Sequence, residues 1–218
     1  MKLVVFDVDG TLIDSQHHIH AAMTAAFKAA GLDPLPRQAV LQIVGLSLPV
    51  AVAELAPDQD AATQALIAEA YRHAFMQARL VQAAPLYPGA MACLDGLAAR
   101  DDLVLAVATG KSRRGLAAMI AAHGLEGRFI SLQTADDHPS KPHPAMLLAA
   151  MEDAGVTAED SVMVGDTSFD MEMARAAGMA GFGVGWGYHA RDRLTASGAV
   201  LVADDFTALG RAIARWAA

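Results

Sequence analysis

The residues of this sequence that could do chemistry fall into four short polar clusters, each close to the end of an apolar run. The clusters are residues 7–11 (Asp-Val-Asp-Gly-Thr), 108–112 (Ala-Thr-Gly-Lys-Ser), 140–144 (Ser-Lys-Pro-His-Pro) and 165–170 (Gly-Asp-Thr-Ser-Phe-Asp). Together they supply carboxylates, hydroxyls and ammonium groups. Such groups can hold a divalent cation and bind a phosphate.

The first cluster suggests a magnesium site. Asp7 and Asp9 are two residues apart, so in an extended chain their side chains point to the same side. Gly10 then allows the backbone to turn. Two close carboxylates repel each other unless a cation or a proton intervenes, and Mg²⁺ prefers carboxylate and carbonyl oxygens. A solvated turn is the alternative, because Asp-Gly pairs are common there.

The second cluster joins a predicted strand to a predicted helix. The hydroxyl of Thr109 and the free backbone N–H groups from Gly110 onward could hold a phosphate, although Thr109 could equally be a helix cap. The cluster is not a nucleotide-binding loop, because Leu105 stands where that loop requires its first glycine.

The third and fourth clusters add a cation and two more acids. Pro142 and Pro144 restrict the backbone around Lys141, which could reach a carboxylate and a transferring phosphoryl group, or could be a surface lysine. Asp166 and Asp170 are four residues apart and could share one face of a helix, where acids also interact favourably with the dipole. The position of all four clusters at predicted strand ends favours one common site.

The elements that must position these clusters alternate between strand and helix. Strands are predicted at 3–8, 103–108, 129–133, 161–164, 181–184 and 200–202, and helices at 111–122, 143–154, 167–177 and 205–216. This order predicts an α/β fold with a Rossmann-like parallel sheet core and helices on both faces.

Residues 15–84 show helical spacing only, as in Ile19, Met23 and Phe27, with a second stretch around Val40 to Val44 and a third after Asp60. This spacing therefore predicts an all-helical insertion. The sequence predicts a core domain made of residues 1–14 and 85–218, with the helical domain inserted between them.

Composition limits the function classes. The chain has 218 residues, of which 54% are hydrophobic and 18% charged, which is enough to fill a core. The net charge of −8 disfavours nucleic acid as a partner but permits a phosphorylated small molecule, because a bound cation can reverse the local field. One cysteine, Cys93, excludes an internal disulfide. Without a signal sequence or an apolar run long enough to span a bilayer, we expect a cytoplasmic protein that does not bind membranes.

In these four motifs the sequence resembles the haloacid dehalogenase-like hydrolase superfamily. The first motif, residues 7–15, is the most specific, and Thr109, Lys141 and residues 165–170 match the hydroxyl, lysine and acidic motifs. The helical insertion looks like the superfamily's cap of the first type. The overall layout and residues 185–188 (Gly-Trp-Gly-Tyr) look closest to phosphoglycolate phosphatase-like members.

The resemblance implies a magnesium-dependent phosphomonoester hydrolase that acts on a small, phosphoglycolate-like metabolite. Asp7 would be the nucleophile that forms an aspartyl-phosphate. Asp9 would donate a proton to the leaving alcohol and then take one from the attacking water. Mg²⁺ would be held by the Asp7 carboxylate, the Asp9 carbonyl and Asp166, with Asp170 in support.

The resemblance also implies how the phosphoryl group is bound. Thr109 and the amide of Gly110 would contact its oxygens, and Lys141 would screen the charge between Asp7 and the phosphate. Phosphoryl transfer needs mainly in-line positioning and positive charge around those oxygens.

Several alternatives stay open. A β-phosphoglucomutase-like phosphomutase would use the same Asp7 and Asp9, a pyrophosphatase is a further possibility, and a catalytically silent binding protein could have the same fold. The acid at Asp9 argues against haloacid dehalogenation, because the dehalogenase branch lacks it. The sequence does not decide the substrate or whether the chain is a monomer or a homodimer.

Other residues near the clusters are expected to have structural roles. The three histidines within residues 17–20 do not share one helix face, which disfavours a metal site. Arg113 and Arg114 could meet a substrate or pair with surface acids, the commoner case. Trp186 and Tyr188 are expected to pack in the core or to anchor a loop.

Overall fold

The computed structural model describes residues 1–218 and contains one six-stranded sheet in which every neighbouring pair of strands is parallel. The strands are β1 (Lys2–Phe6), β2 (Leu103–Thr109), β3 (Ser131–Thr134), β4 (Ser161–Gly165), β5 (Ala180–Val184) and β6 (Ala199–Ala203). Their order is β3-β2-β1-β4-β5-β6. Strand β1 thus lies between β2 and β4, and the clusters that follow these three strands meet at one edge.

The chain also has ten α-helices. They are α1 (Gln16–Ala29), α2 (Arg37–Leu41), α3 (Leu48–Leu55), α4 (Ala61–Val81), α5 (Ala90–Ala98), α6 (Arg113–His123), α7 (Ala145–Ala154), α8 (Ser168–Ala176), α9 (Arg191–Ala196) and α10 (Phe206–Ala217). A single 3₁₀ turn covers Ala158–Asp160. Not one of these helices has the length and apolar character needed to cross a membrane.

The side chains of β1 belong alternately to two hydrophobic clusters. Val4 and Phe6 belong to a cluster that includes residues of α5, α6 and α10. Leu3 and Val5 belong to a second cluster with residues of α7 and α8. Because successive side chains of a strand point to opposite faces, helices cover both faces of the sheet. The predicted α/β architecture is confirmed.

Helices α1 to α4 form a third hydrophobic cluster of their own. Ile19, Met23 and Phe27 of α1 pack there with Val52 of α3 and Ile67 of α4. No strand of the sheet comes from residues 15–84, as the sequence predicts. The domain boundaries at residues 14 and 85 stay a prediction.

Some predicted elements differ from the structure. The second helical stretch of the insertion ends at Leu41, so Ile43 and Val44 lie in the connection to α3. That connection contains Gly45, whose φ of +102° is incompatible with a continuing helix. Helices α3, α5 and α9 were not predicted from the sequence.

Candidate active site

The centre of the site is a buried cluster of charges. Asp7 directly follows β1, and its Oδ1 lies 2.7 Å from the Nζ of Lys141. The same ammonium lies 2.7 Å from Oδ1 of Asp170. All three residues are at most 1% exposed. Asp166, which is fully buried, lies close enough that its carboxylate and those of Asp7 and Asp170 have oxygens within 4.8 Å of one another.

One lysine does not neutralise three buried carboxylates. Burial raises the pKa of Asp7 to about 7, and the neighbouring Asp170 adds to this, although Lys141 opposes it. Burial and the charges of Asp7 and Asp170 also raise the pKa of Asp166 well above its usual value. Burial disfavours a charged Lys141, but the Asp170 and Asp7 carboxylates outweigh it and raise the pKa of the lysine. The cluster therefore favours an added cation or a bound proton.

The donor atoms fit a hard divalent cation. Oδ2 of Asp7 is buried and has no hydrogen-bond partner. Asp166 accepts from the Thr11 hydroxyl at 2.9 Å and from the backbone N–H of Tyr188 at 2.8 Å, which fixes its orientation and leaves lone pairs on both oxygens. The three acids offer carboxylate oxygens, which are ligands that Mg²⁺ prefers.

Two glycines let the chain approach Asp166. A Cβ on Gly187 would lie 2.1 Å from the Cβ of Asp166, and a Cβ on Gly10 would lie 2.2 Å from its Oδ2. Gly10 also has a φ of +88° in the turn after β1. Neither position accepts a side chain without displacing the carboxylate.

Asp170 plays a double structural role at the start of α8. Its Oδ2 accepts from the backbone N–H of Thr167 at 3.0 Å and from the Thr167 hydroxyl at 2.7 Å, and the two residues form a capping box. Its other oxygen binds Lys141. The sequence suggested that Asp166 and Asp170 share one face of a helix. In the structure Asp166 precedes α8 and only Asp170 lies in its first turn, yet both carboxylates belong to the same cluster.

Asp9 is held by partners outside the buried cluster. The Lys111 ammonium lies 2.8 Å from Oδ2 and 2.9 Å from Oδ1 of Asp9. The Ser15 hydroxyl donates to Oδ1 at 2.6 Å, and the Tyr188 hydroxyl lies 3.1 Å from Ser15. Because Ser15 gives its proton to Asp9, Tyr188 donates to Ser15. Lys111 and Ser15 thus hold the Asp9 carboxylate at the end of β1.

Thr109 and Gly110 lie where β2 ends. The Thr109 hydroxyl is buried and accepts from the backbone N–H of Lys111 at 3.2 Å. A Cβ on Gly110 would lie 2.5 Å from the carbonyl oxygen of Gly45 and 2.6 Å from that of Leu46. The cap of α6 is Ser112, not Thr109. The helical insertion thus touches the loop that was predicted to bind phosphate.

A cavity of about 220 Å³ opens between the sheet edge and the insertion. Asp7, Asp9, Thr109 and Gly110 form part of its wall. The insertion supplies apolar side chains from α1, α3 and α4 and from the connection between α2 and α3. A small ligand in this cavity would contact both parts of the chain.

The structure brings most of the predicted residues together. Asp7, Lys141, Asp166 and Asp170 form one cluster, and Asp9, Thr109 and Gly110 border the same cavity as Asp7. The histidines within residues 17–20 are not part of this acidic cluster.

The sequence did not predict that Lys111 and Ser15 bind Asp9, or that Tyr188 contacts Ser15. The position of Lys111 next to Gly110 indicates a place at the site, but its Gly-Lys-Ser context was compared only with a nucleotide-binding loop. Trp186 packs against Phe206 and donates to the carbonyl of Thr11 at 3.0 Å, which is an anchoring role.

The chain is similar to known proteins over nearly its full length. A family model described as "Haloacid dehalogenase-like hydrolase" matches residues 4–184. A Dickeya dadantii protein named "Probable phosphatase IndB" is 37% identical over 210 residues, which are 94% of this chain and 90% of the relative. A "Phosphoglycolate phosphatase" of Rhodospirillum rubrum is 35% identical over 219 residues, covering 96% and 89% of the two chains.

Solved structures share the fold. A hydrolase from Pseudomonas syringae superposes with a TM-score of 0.88 at 26% identity and covers 99% of each chain. A predicted phosphatase from Clostridium acetobutylicum gives the same TM-score of 0.88 at 23% identity over 98% of each chain, and this second likeness concerns the fold alone.

Proposed function

The chain belongs to the haloacid dehalogenase-like hydrolase family and is a phosphatase, and we propose that it uses Mg²⁺ and an aspartyl-phosphate on Asp7. The observation that carries this proposal is the state of Asp7. Lys141 binds Oδ1 of Asp7. The buried Oδ2 has no hydrogen-bond partner, and the carboxylates of two further acids lie close by. A carboxylate left partly unsatisfied among like charges is suited to binding a cation and to acting as a nucleophile.

In the first step, a carboxylate oxygen of Asp7 attacks phosphorus while the bond from phosphorus to the leaving oxygen breaks. Asp9 gives its proton to that oxygen, so the product leaves as an alcohol. In the second step, water attacks phosphorus of the aspartyl-phosphate and Asp9 takes its proton. The bond to Asp7 breaks and inorganic phosphate is released.

The other residues bind and screen charge. The hydroxyl of Thr109, the amide of Gly110 and the ammonium of Lys141 bind the phosphoryl oxygens, on which negative charge is spread during transfer. Asp7 and Asp166 hold Mg²⁺ together with the carbonyl of Asp9, with Asp170 in support. When bound, Mg²⁺ supplies positive charge that the acidic cluster lacks.

The helical insertion, residues 15–84, acts as a cap over this site. Gly45 and Leu46 lie against Gly110, and apolar side chains of the insertion form one wall of the cavity. A small phosphorylated metabolite such as phosphoglycolate fits a cavity of this size and keeps its leaving group in contact with the cap. Such closure limits access of bulk water to the reacting group.

A phosphate-release screen tests the proposal. The protein is assayed with Mg²⁺ against phosphoglycolate, sugar phosphates, nucleoside monophosphates and pyrophosphate, with Asp7→Asn as the blank. We expect release from a phosphomonoester, with Mg²⁺ required and the activity of Asp7→Asn lost. Release that is unchanged in Asp7→Asn would overturn the mechanism, and isomerisation of a phosphosugar without release would show a phosphomutase.

A further inference from the structure

The cavity above Asp7 concentrates basic side chains in an acidic protein. Arg72, Arg79, Lys111 and Arg114 border it, which is four of the 16 lysines and arginines of the chain. Asp7 is one of only two acids in the same wall, although the chain has 24 acids and a net charge of −8. The distribution therefore marks the cavity as a place for anions.

Two of these cations have no acidic partner. Arg72 pairs with Glu69 on its own helix, and Lys111 pairs with Asp9. Arg79 and Arg114 form no salt bridge. The Nη2 of Arg114 contacts only the sulfur of a methionine, Met76, at 3.0 Å, and a thioether is a weak acceptor.

The two arginines come from different parts of the chain. Arg79 lies in the last turn of α4, in the insertion, whereas Arg114 lies in the first turn of α6, in the core. Lys111 stands beside them, with its ammonium 4.9 Å from the ring centre of Phe75 on α4. Guanidinium groups bind carboxylates and phosphates through paired donors, so an anion in the cavity could be held from both sides.

The transferring phosphoryl group does not account for these arginines. In the proposed function it is bound by Lys141, Thr109 and Gly110 at the end of the sheet. The arginines are instead available to the leaving part of the substrate, in the cavity that the insertion borders with apolar side chains.

We infer that Arg79 and Arg114 recognise a second anionic group on the leaving part of the substrate. The substrate class is then a phosphomonoester whose alcohol carries a carboxylate or a second phosphate, and the two arginines are specificity residues. This inference rests on the proposed phosphatase function and adds to it the charge of the leaving group.

The test compares three esters of similar length with the full-length protein and Mg²⁺. They are phosphoglycolate, which carries a carboxylate, 2-hydroxyethyl phosphate, which is neutral at that end, and ethylene glycol bisphosphate. The wild-type kcat/KM is expected to be at least about tenfold higher for an anionic ester than for the neutral one, because charged hydrogen bonds are strong. The preferred anionic ester identifies the second group as carboxylate or phosphate.

Variants test whether the two arginines cause the preference for anionic esters. Arg79→Gln and Arg114→Gln are each expected to lower the ratio of kcat/KM between the anionic and neutral esters by about ten- to a hundredfold. Arg113→Gln is the matched control, since Arg113 adjoins Arg114 on α6 but pairs with Asp137 and does not border the cavity. Its ratio should stay within about twofold of the wild type.

The outcomes separate the two proposals. Equal wild-type kcat/KM for all three esters, or variants that slow all esters alike, would overturn the anion site and leave the phosphatase intact. No release from these esters or from any phosphomonoester of the screen described above would overturn the proposed function. In that case calorimetric binding of phosphoglycolate to Asp7→Asn, lost in Asp7→Asn/Arg114→Gln, would still support the site, and unchanged binding would overturn it.

Discussion

Lys141 is the cation that pairs with both Asp7 and Asp170, and it is as buried as they are. We predict that Lys141→Met lowers the free energy of unfolding by about 3–5 kcal/mol at pH 7 without metal, because it leaves buried carboxylates uncompensated. Urea unfolding measures this change. Lys28→Met, at an exposed position of α1, is the control and should change stability by no more than about 0.5 kcal/mol. Equal stability of the two variants would contradict the prediction.

Gly187 decides where the Asp166 carboxylate can lie. An added Cβ would stand 2.4 Å from Oδ2 of Asp166, so Gly187→Ala must displace that side chain. We predict a loss of Mg²⁺ affinity of about 10–100-fold, which is the usual effect of disturbing groups that orient a metal ligand. The Mg²⁺ dependence of phosphate release measures it.

Gly96→Ala is the matched control for this substitution. Gly96 lies in α5, and a Cβ added there would have no other atom within 4 Å, so alanine should stabilise the helix by about 0.5–1 kcal/mol and leave Mg²⁺ dependence unchanged. A Gly187→Ala protein with the Mg²⁺ dependence of Gly96→Ala would show that Asp166 is not constrained as described.

At the scale of elements, the sequence predicts best where strands are short and apolar on both faces. All six strands of the sheet were predicted, each within about two residues of its observed start, because runs such as 103–108 have few other structures available to them. Helices α3, α5 and α9 were missed. They have only 8, 9 and 6 residues, too few for a clear helical period.

The charged clusters were predictable for a related reason. Asp7 and Asp166 follow β1 and β4, and Thr109 is the last residue of β2. These strands are neighbours in the sheet, so local sequence and strand order bring the three residues together. The contacts around Asp9 were not predictable, because Lys111 reaches Asp9 from 102 residues further along the chain. Tyr188 likewise reaches Ser15, the other partner of Asp9, from 173 residues further along. Such contacts depend on how loops fold back, which short-range patterns do not encode.

His189 links α8 to the helical insertion. Its Nδ1 accepts from the backbone N–H of Ser168 at 2.9 Å, so this nitrogen carries no proton. Its Nε2 lies 3.0 Å from the carbonyl oxygen of Gln42, to which it must donate. The contact at Nδ1 requires the neutral ring, with its proton on Nε2. Burial lowers the pKa of His189, and the nearby Arg193 contributes, although the Gln42 contact and the acids Asp170 and Glu172 oppose it.

The sign of the pH effect follows from this lowered pKa. As pH falls below the unfolded value near 6.5, the unfolded chain binds a proton at this position before the folded chain does. Stability from His189 is therefore complete above pH 6.5 and declines as the pH falls toward the folded pKa. We predict that His189→Gln flattens the difference in unfolding free energy between pH 7 and pH 5, measured by urea unfolding. An unchanged slope in His189→Gln would refute the assignment of the neutral ring.

At the scale of the whole molecule, folding buries three acids in a chain that is already negative. Without metal, the raised pKa of Asp7 means that the folded state holds a proton between pH 3.8 and about 7 that the unfolded chain has released. Stability from this group therefore falls as pH rises through that window. Asp166 shifts in the same direction. A bound divalent cation favours the ionised carboxylates and opposes this loss.

Mg²⁺ should therefore stabilise the protein more at pH 8 than at pH 5, because at pH 5 it must displace protons from Asp7 and Asp166. At a concentration of 100 times its Kd, a ligand that binds only the folded state adds about 2.7 kcal/mol. Thermal unfolding with and without Mg²⁺ at the two pH values measures the effect. Asp166→Asn should reduce the increase in Tm at pH 8, whereas Asp192→Asn, an exposed acid on α9, should retain it. Equal increases in Tm at both pH values would mean that binding displaces no protons from the buried carboxylates. A full increase in Asp166→Asn would mean that this carboxylate is not a ligand. Either result would place the cation elsewhere.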